Sequence, residues 1–418
     1  MAEAFIIDAV RTPRGIGKKG KGALADTLPQ HLAVTVMKAI KDRNGLPENA
    51  VEDVIWGTQA QYGLQAADMG RMAALDAGLG VGTSGATLDR FCGASLTATN
   101  LAATTIMSGM EDLLIAGGTE MTSFTAEYGA KLRDAGLSLG LAGANPRLQD
   151  KFPQTHQGVA ADAIAANEGI SRADLDAYGV ESQRRAAVAI AEGRFDKSIV
   201  PVVDDAGAVV LERDEYPRPG TTLEALSGLK PAFAAFIDMP SGAEPGAATF
   251  GGLINQVHPD IAIEAVHHAG TSSGNVDGAS AILLGSQAAL DKYGLKPRAR
   301  IVAMANHAEH PTLMLTAPSG AVTKVLAKAG LTKDDIDVWE INEAFAAIVE
   351  KVIRDHDLDR AKVNPNGGAI ALGHPIGATG AMLIGTALDE LERSGGRYGL
   401  ITMCTAGGMA PALVIERV

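Results

Sequence analysis

Cysteine is almost missing from this chain, with two among 418 residues. A disulfide framework is thereby excluded, and a single bridge between Cys92 and Cys404 is not expected in a large cytosolic protein. Aromatic residues reach only 4% against 49 glycines, a balance that suits an alanine-rich α/β enzyme better than an all-β sandwich. Basic charge is in deficit, 36 Lys and Arg facing 49 Asp and Glu for a net charge of -13, which argues against a nucleic-acid or anionic-membrane partner. The one basic cluster, Lys18, Lys19 and Lys21, reads as a solvated loop. No apolar run reaches the length of a membrane span, and MAEAFIIDAV lacks the layout of a signal peptide. The expected location is cytoplasmic.

What is present is a globular composition, 46% hydrophobic and 20% charged, in a chain long enough for two or three packed units. Both cysteines lie beside glycines, in DRFCGAS and TMCTAGGMAP, and so does His374, in GGAIALGHPIGATG. Glycine marks tight turns and close backbone approach. Taken singly, an inert buried thiol or a hydrogen-bonded structural imidazole fits these places at least as well as a reactive group.

The order of strand and helix signals repeats along the chain. FIIDAV, VEDVIWG, ATLDR and DLLIAGGTE read as strands. The stretch from Thr27 to Arg43 reads as a helix with Leu32, Val36 and Ile40 on one face, and GASLTATNLAATTIM after Cys92 as another. In the last segment RIVAMA, DIDVWEI, YGLITM and PALVIERV read as strands, the last matching ASAILLGS earlier. The stretch from Ser319 to Gly330, EAFAAIVEKVIRDH and GATGAMLIGTALDELERSG read as helices. This alternation predicts a mostly parallel sheet and two versions of one unit. Cys92 and His374 then occupy equivalent places, each between a strand and the start of a long helix. Roughly residues 122 to 275 break the pattern. There Ser171-Arg172-Ala173-Asp174 reads as a capping box before a helix, SIVPVV as a short strand, and DEYPRPGTT and DMPSGAEPGAATFGG as irregular. An insertion of this kind is expected to be a lid, a binding segment or an oligomer arm.

Along essentially its full length the sequence resembles the thiolase family. RTPRGIGKKGKGAL resembles the family's opening, DRFCGAS its nucleophile motif, INEAFA its Asn-Glu-Ala-Phe motif, and GGAIALGHPIGATG with CTAGGMAP its C-terminal pair. SRADLDAYGVESQRRA, GTTLEALSGLKPAF and HAGTSSGNVDGAS are similar to its loop-domain and CoA-binding stretches. The resemblance implies an α/β protein of duplicated, five-layered α-β-α-β-α architecture with an inserted loop domain. The implied division is residues 1–121 plus 276–294, then 122–275, then 295–418. It also implies an acyltransferase that interconverts 3-oxoacyl-CoA plus CoA with acyl-CoA plus acetyl-CoA through an acyl-cysteine. Its partners would be acyl-CoA, acetyl-CoA and CoA, with no metal or organic cofactor, in a homodimer or homotetramer packed through the N-terminal halves.

Each residue also has a physical reading. A cysteine at a helix N-terminus faces unpaired N–H groups and the positive end of the helix dipole, which favour thiolate. Cys92 is thus the expected nucleophile, and His374, from the matching turn of the other half, the base for it. By resemblance Cys404 is the acid/base that moves the α-proton of acetyl-CoA and the proton of the leaving thiol. His374 and a water held by Asn342 would form the oxyanion hole for the enolate, and the N–H groups of Cys92 and Ala406 the hole for the thioester oxygen. Losing one such donor typically costs roughly 3 kcal/mol of transition-state stabilisation. Asn342-Glu343 also reads as a cap on the helix that follows. Arg218, Ser273 and His156 match CoA-binding positions of the family. His307 and His310 have a faint metal spacing, but no third ligand motif accompanies them, and zinc is not expected.

The match departs from the family pattern at Asp89, Ala94-Ser95, Gln157, Thr271 and Ala406. Ala406 can still offer its N–H if the backbone there accepts a Cβ. Gln157, near the acyl pocket by resemblance, points toward a broad or degradative 3-ketoacyl-CoA thiolase. A short-chain acetoacetyl-CoA (biosynthetic) thiolase and a non-catalytic CoA-binding relative are the alternatives. A decarboxylating ketoacyl synthase usually pairs its cysteine with two histidines, whereas here the third group is Cys404.

Overall fold

The computed structural model describes residues 2–134, 145–242 and 246–418. Part of the stretch DMPSGAEPGAATFGG, residues 243–245, lies outside the described residues. Aliphatic runs free of turn formers become strands. In chain order these are β1 (Phe5–Arg11), β2 (Gly15–Ile16), β3 (Asp53–Gly57), β4 (Ser84–Leu88), β5 (Leu113–Met121), β6 (Val202–Val203), β7 (Val209–Leu211), β8 (Val276–Gly285), β9 (Ala299–Ala308), β10 (Val338–Ile341), β11 (Tyr398–Thr402) and β12 (Met409–Arg417).

Among the described residues, ten strands join in one sheet in the order β10-β11-β12-β9-β1-β8-β5-β3-β4, with β2 paired to β8, and β6 pairs β7 separately. The duplication is visible in that order. The first half runs β1-β8-β5-β3-β4, and the second runs β9-β12-β11-β10, with a parallel bridge from Trp339 to Val363 in the place of β4. The two halves meet where β1 pairs antiparallel with β9, Phe5 opposite Arg300 and Ile6 opposite Ala299.

The expectation of a mostly parallel sheet is corrected. β3 is parallel to β4 and β5, and β10 to β11, but β8 runs antiparallel to β1 and β5, and β12 antiparallel to β9 and β11. Connection length is the reason. Residues 403–408 between β11 and β12 are too few for a crossover, so those strands must return antiparallel. β8 holds the equivalent place in the first half and takes the same direction.

Among the described residues, three apolar cores hold the five layers together, the middle one facing both halves of the sheet. The helices Pro29–Arg43 and Met69–Asp76 cover the first half, with Leu32, Val36 and Ile40 against Val54 and Leu283. The helices Pro318–Ala329 and Ala346–His356 cover the second, with Val322, Val325 and Val349 against Trp339 and Leu400. Between the halves lie the helices Ala94–Ser108 and Thr379–Ser394, where Leu96, Ile384 and Leu388 meet Leu114, Ile282, Ile401 and Leu413. A helix enclosed on several sides needs small or apolar residues nearly all round, which accounts for the composition ASLTATNLAATTIM.

The chain leaves the first half after β5 and returns at β8. In between, Ser171 and Asp174 cap the helix Arg172–Ala191 reciprocally, as the sequence predicts. Arg11 of β1 grips Asp214 of this insertion through two hydrogen bonds of 2.7 and 2.8 Å, both side chains buried.

Candidate active site

Cys92 lies in the single 3-10 turn Phe91–Gly93 that feeds the helix Ala94–Ser108. Phe91 enters this turn with φ of 48°, a left-handed conformation that costs a non-glycine residue roughly 1–2 kcal/mol. Asp89 holds the turn, its Oδ1 accepting the Phe91 N–H at 2.6 Å. The carboxylate thus supplies the acceptor without the amide usual in the family. The Cys92 thiol is buried and faces two backbone N–H groups, its own and that of Ala406. The expectation that the helix start favours thiolate is corrected: burial outweighs both donors and pushes the thiol up to about 12. Cys404 is fully buried; burial and then the neighbouring Cys92 push its thiol up as well.

His374 stands where three elements converge. Its N–H donates to Gly274 O at 2.8 Å. The preceding Gly373 has φ of 94°, and a Cβ there would lie 2.4 Å from the Val276 side chain. Beyond it, the Gly377 N–H donates to Glu120 Oε2 at 3.0 Å, and a Cβ on Gly377 would fall 2.6 Å from Thr119 O. The end of β5 therefore lies directly against the turn, which strips it to glycine. The helix Thr379–Ser394 then locks onto the helix that follows Cys92, the Ala381 N–H donating to Ser95 Oγ at 3.1 Å. On the buried ring, Nδ1 is 2.6 Å from Thr379 Oγ1 and Nε2 is 3.3 Å from Asn342 Nδ2. Burial, and secondarily the Arg14 guanidinium, push the imidazole down to about 3.

Asn342 follows β10, its N–H donating to Thr402 O at 3.1 Å, and its buried Oδ1 has no protein partner. The reading of Asn342-Glu343 as a helix cap is not what forms, because the helix Ala346–His356 has Phe345 at its N-cap and no side-chain cap. Glu343 is instead a hub. It accepts from Tyr178 at 2.9 Å, Ser182 at 2.7 Å, Asn364 at 3.0 Å and the Ile370 N–H at 3.1 Å. It thereby ties Asn342's segment to the insertion and to the chain leading into His374. Ala406 accepts its Cβ, since the left-handed positions fall on Gly407 and Gly408, at φ of 78° and 77°.

The three CoA candidates sit in different local settings. Ser273 donates its N–H to Ala344 O at 2.9 Å and precedes the glycine that receives His374. Arg218 is exposed on the insertion, its guanidinium 5.7 Å from the Tyr216 ring centroid. His156 accepts the Gly158 N–H through Nδ1 at 3.1 Å and stacks on Phe236 at 4.3 Å. Its neighbour Phe233 meets Phe345 edge-on at 5.8 Å, which links this aromatic group to the Asn342 segment. Gln157 begins the helix that His156 caps. His307 is 3.3 Å from Glu309, and among the described residues no group of three His, Cys, Asp or Glu could hold a metal.

Sequence reasoning missed Glu120, Thr379 and Glu340. Glu120 is buried, and burial pushes it up to about 7 against the opposing hydrogen bonds from Gln65 and the Gln59 and Gly377 N–H groups. A carboxylate closing the glycine-ended strand DLLIAGGTE was the available signal. Glu340, inside β10, is buried with neither oxygen partnered, and burial raises it well above the usual carboxylate range.

Residues 4–236 match the family model for the thiolase N-terminal domain, and residues 295–417 match that for the thiolase C-terminal domain. The chain belongs to the thiolase family. It is 40% identical to the beta-ketoadipyl-CoA thiolase of Acinetobacter baylyi, with all of both chains covered. It is equally similar, at 40%, to the 3-oxoadipyl-CoA/3-oxo-5,6-dehydrosuberyl-CoA thiolase of Escherichia coli, again covering both chains fully. It is 40% identical to the steroid 3-ketoacyl-CoA thiolase FadA6 of Mycobacterium tuberculosis, covering all of this chain and 95% of that one. This thiolase is an acyltransferase that exchanges acyl groups between CoA thioesters, and its reaction calls for no cofactor beyond those substrates. Among the described residues no helix is long and apolar enough to cross a membrane.

Proposed function

We propose that this thiolase works in the degradative direction on 3-oxoacyl-CoA esters longer or bulkier than acetoacetyl-CoA. One observation carries the reading: Cys404 and Ala406 share an apolar cluster with Phe91, Phe233, Phe236 and Phe345. Such a wall favours apolar bulk over a two-carbon acyl group. The steroid named for one relative agrees with it, and the ketoadipyl chain named for others is likewise longer than acetoacetyl.

The reaction is assigned to the residues as follows. Cys92 Sγ attacks the C3 carbonyl of the substrate and passes its proton to His374 Nε2. The C2–C3 bond breaks and acetyl-CoA leaves as its enolate, which takes a proton from Cys404. Free CoA then attacks the acyl-Cys92 carbonyl and gives its proton to the Cys404 thiolate, while the departing Cys92 thiolate recovers the proton from His374. The N–H groups of Cys92 and Ala406 stabilise the thioester oxygen, and His374 with a water on Asn342 Oδ1 stabilises the enolate oxygen. A thiol raised to about 12 and an imidazole lowered to about 3 rest as a neutral pair. The proton therefore leaves sulfur only as the carbon–sulfur bond forms.

Ser273 and His156 are assigned to the pantetheine and acyl side, and Arg218 to the nucleotide end of CoA. The division into residues 1–121 plus 276–294, 122–275 and 295–418 follows the chain's departure after β5 and return at β8. A homodimer or homotetramer in the cytoplasm completes the proposal. Thiolysis rates measured from acetoacetyl-CoA through longer, dicarboxylic and ring-bearing 3-oxoacyl-CoA esters test it. The expected outcome is a kcat/KM at least about 10-fold higher for a longer or bulkier ester; a preference for acetoacetyl-CoA assigns the short-chain biosynthetic role instead.

A further inference from the structure

We propose that Thr379 is a positioning residue that fixes which nitrogen of His374 carries the proton, keeping Nδ1 protonated so that Nε2 keeps the lone pair that takes the proton of Cys92 in exchange for its long contact with Asn342. The inference deepens the mechanism above and rests on its reading of Cys92 and His374 as the nucleophile and its base.

The geometry is a directed chain of hydrogen bonds. Thr379 is buried, its Oγ1 lies 2.6 Å from His374 Nδ1, and its hydroxyl donates to Pro375 O at 2.9 Å. That donation is the back-bond to the carbonyl four residues earlier that threonine commonly makes in a helix. A hydroxyl has one proton to give. With it committed to Pro375 O, Oγ1 can only accept at Nδ1, so Nδ1 carries hydrogen and Nε2 carries a lone pair. The other side of the ring agrees, because Asn342 Nδ2 is a donor and lies 3.3 Å from Nε2. The second ring nitrogen's partner generally sets the tautomer of a working histidine.

The orienting group being a hydroxyl has a consequence for the proton. A carboxylate in this position would stabilise the imidazolium that forms when Cys92 gives up its proton. Thr379 orients the ring without supplying that charge, and the Arg14 guanidinium opposes the imidazolium further. The proton is thus returned to sulfur when the acyl group departs.

Two variants and two measurements test the proposal. Thr379→Val keeps the side chain's shape and removes the acceptor, while Thr379→Ser keeps the hydroxyl. The first measurement is the rate of Cys92 alkylation by iodoacetamide, resolved from Cys404 by peptide mass spectrometry, which needs no acyl-CoA. Thr379→Val should react roughly 10-fold or more slowly than wild type, and Thr379→Ser within about 3-fold of it. The second is steady-state thiolysis, in which Thr379→Val should lose kcat by a similar factor with KM within about 2-fold. Alkylation of Thr379→Val at or above the wild-type rate overturns the proposal, as does a Thr379→Ser variant as slow as Thr379→Val. Should Thr379→Val fail to melt as a folded protein, Thr379→Ala takes its place under the same criteria. A wild type that is silent in thiolysis but keeps the order of alkylation rates counts against the substrate reading and leaves the proton relay standing.

Discussion

Cys92 and His374 are shifted in opposite directions by the same cause, loss of water. The thiol rises to about 12 and the imidazole falls to about 3, so neither changes charge in the free enzyme between those values. An ordinary cysteine would show an inflection near its own value of about 8.5. The rate of Cys92 acylation, followed in single turnovers, should show no such step. One buried group nearby does titrate in the neutral range, Glu120, which burial raises to about 7 and which faces Cys92 electrostatically. An inflection near 7 that disappears in Glu120→Gln is the expected result; a rise centred near 8.5 in both proteins contradicts the neutral-pair account. The direction of these shifts could not be read from the sequence. DRFCGAS shows a cysteine at a helix start, which lowers a thiol, but not that helices Ala94–Ser108 and Thr379–Ser394 are sealed between two halves of a sheet. Glu343 was legible as part of INEAFA, yet its partners Tyr178 and Ser182 are 165 and 161 residues away, a separation at which no local pattern exists.

The turn that carries His374 depends on the strand beneath it. β5 reaches the turn through Glu120 and Thr119, and the Gly377 N–H is the contact point. Gly377→Ala forces a Cβ to within 2.6 Å of Thr119 O, and backbone that close must move. Overpacking of this kind costs about 1–3 kcal/mol of stability, and displacement of the imidazole should lower kcat by roughly 100-fold. Urea denaturation and thiolysis assays on the variant check both; full activity would show that the turn does not rest on β5. Elements were otherwise the most legible level, because their signals are local. The helix expected from Thr27 begins at Pro29, and the strands RIVAMA and PALVIERV extend as β9 and β12. Strand direction was not legible. It follows from the short β11–β12 connection and from pairings between residues far apart in sequence, such as Leu113 with Gly285.

The whole molecule is two copies of one unit held in register, with an insertion tied across them. The repeat was legible because each copy ends strands in glycine and starts a long helix after them, and the structure returns the same strand order twice. The tie was not, since Arg11 and Asp214 have no shared motif. Asp214 is buried, and although burial raises its carboxyl, Arg11 and Arg14 outweigh that and hold it below the usual range. Its folded value is depressed, so its contribution to stability is fully present above about pH 4 and is lost as pH falls through the folded value. Asp214→Asn should therefore cost about 3 kcal/mol or more in urea unfolding at neutral pH, because Arg11 is left buried without its charge partner. The gap between variant and wild type should narrow in acid; a gap that is absent at pH 7 or grows in acid contradicts the assignment.

At this scale the proposed function requires the two halves to bring Cys92, from one copy, and His374 and Cys404, from the other, to a single thioester. Intact-mass measurement after mixing each protein with a 3-oxoacyl-CoA in the absence of free CoA tests that claim most directly. Wild type should gain one acyl group on Cys92, Cys404→Ala should gain it far more slowly for want of the proton donor to the enolate, Cys92→Ala should gain none, and only wild type should lose its label promptly when CoA is added. An acyl group on Cys92→Ala equal to that on wild type, or prompt CoA-driven release from Cys404→Ala, would contradict the account.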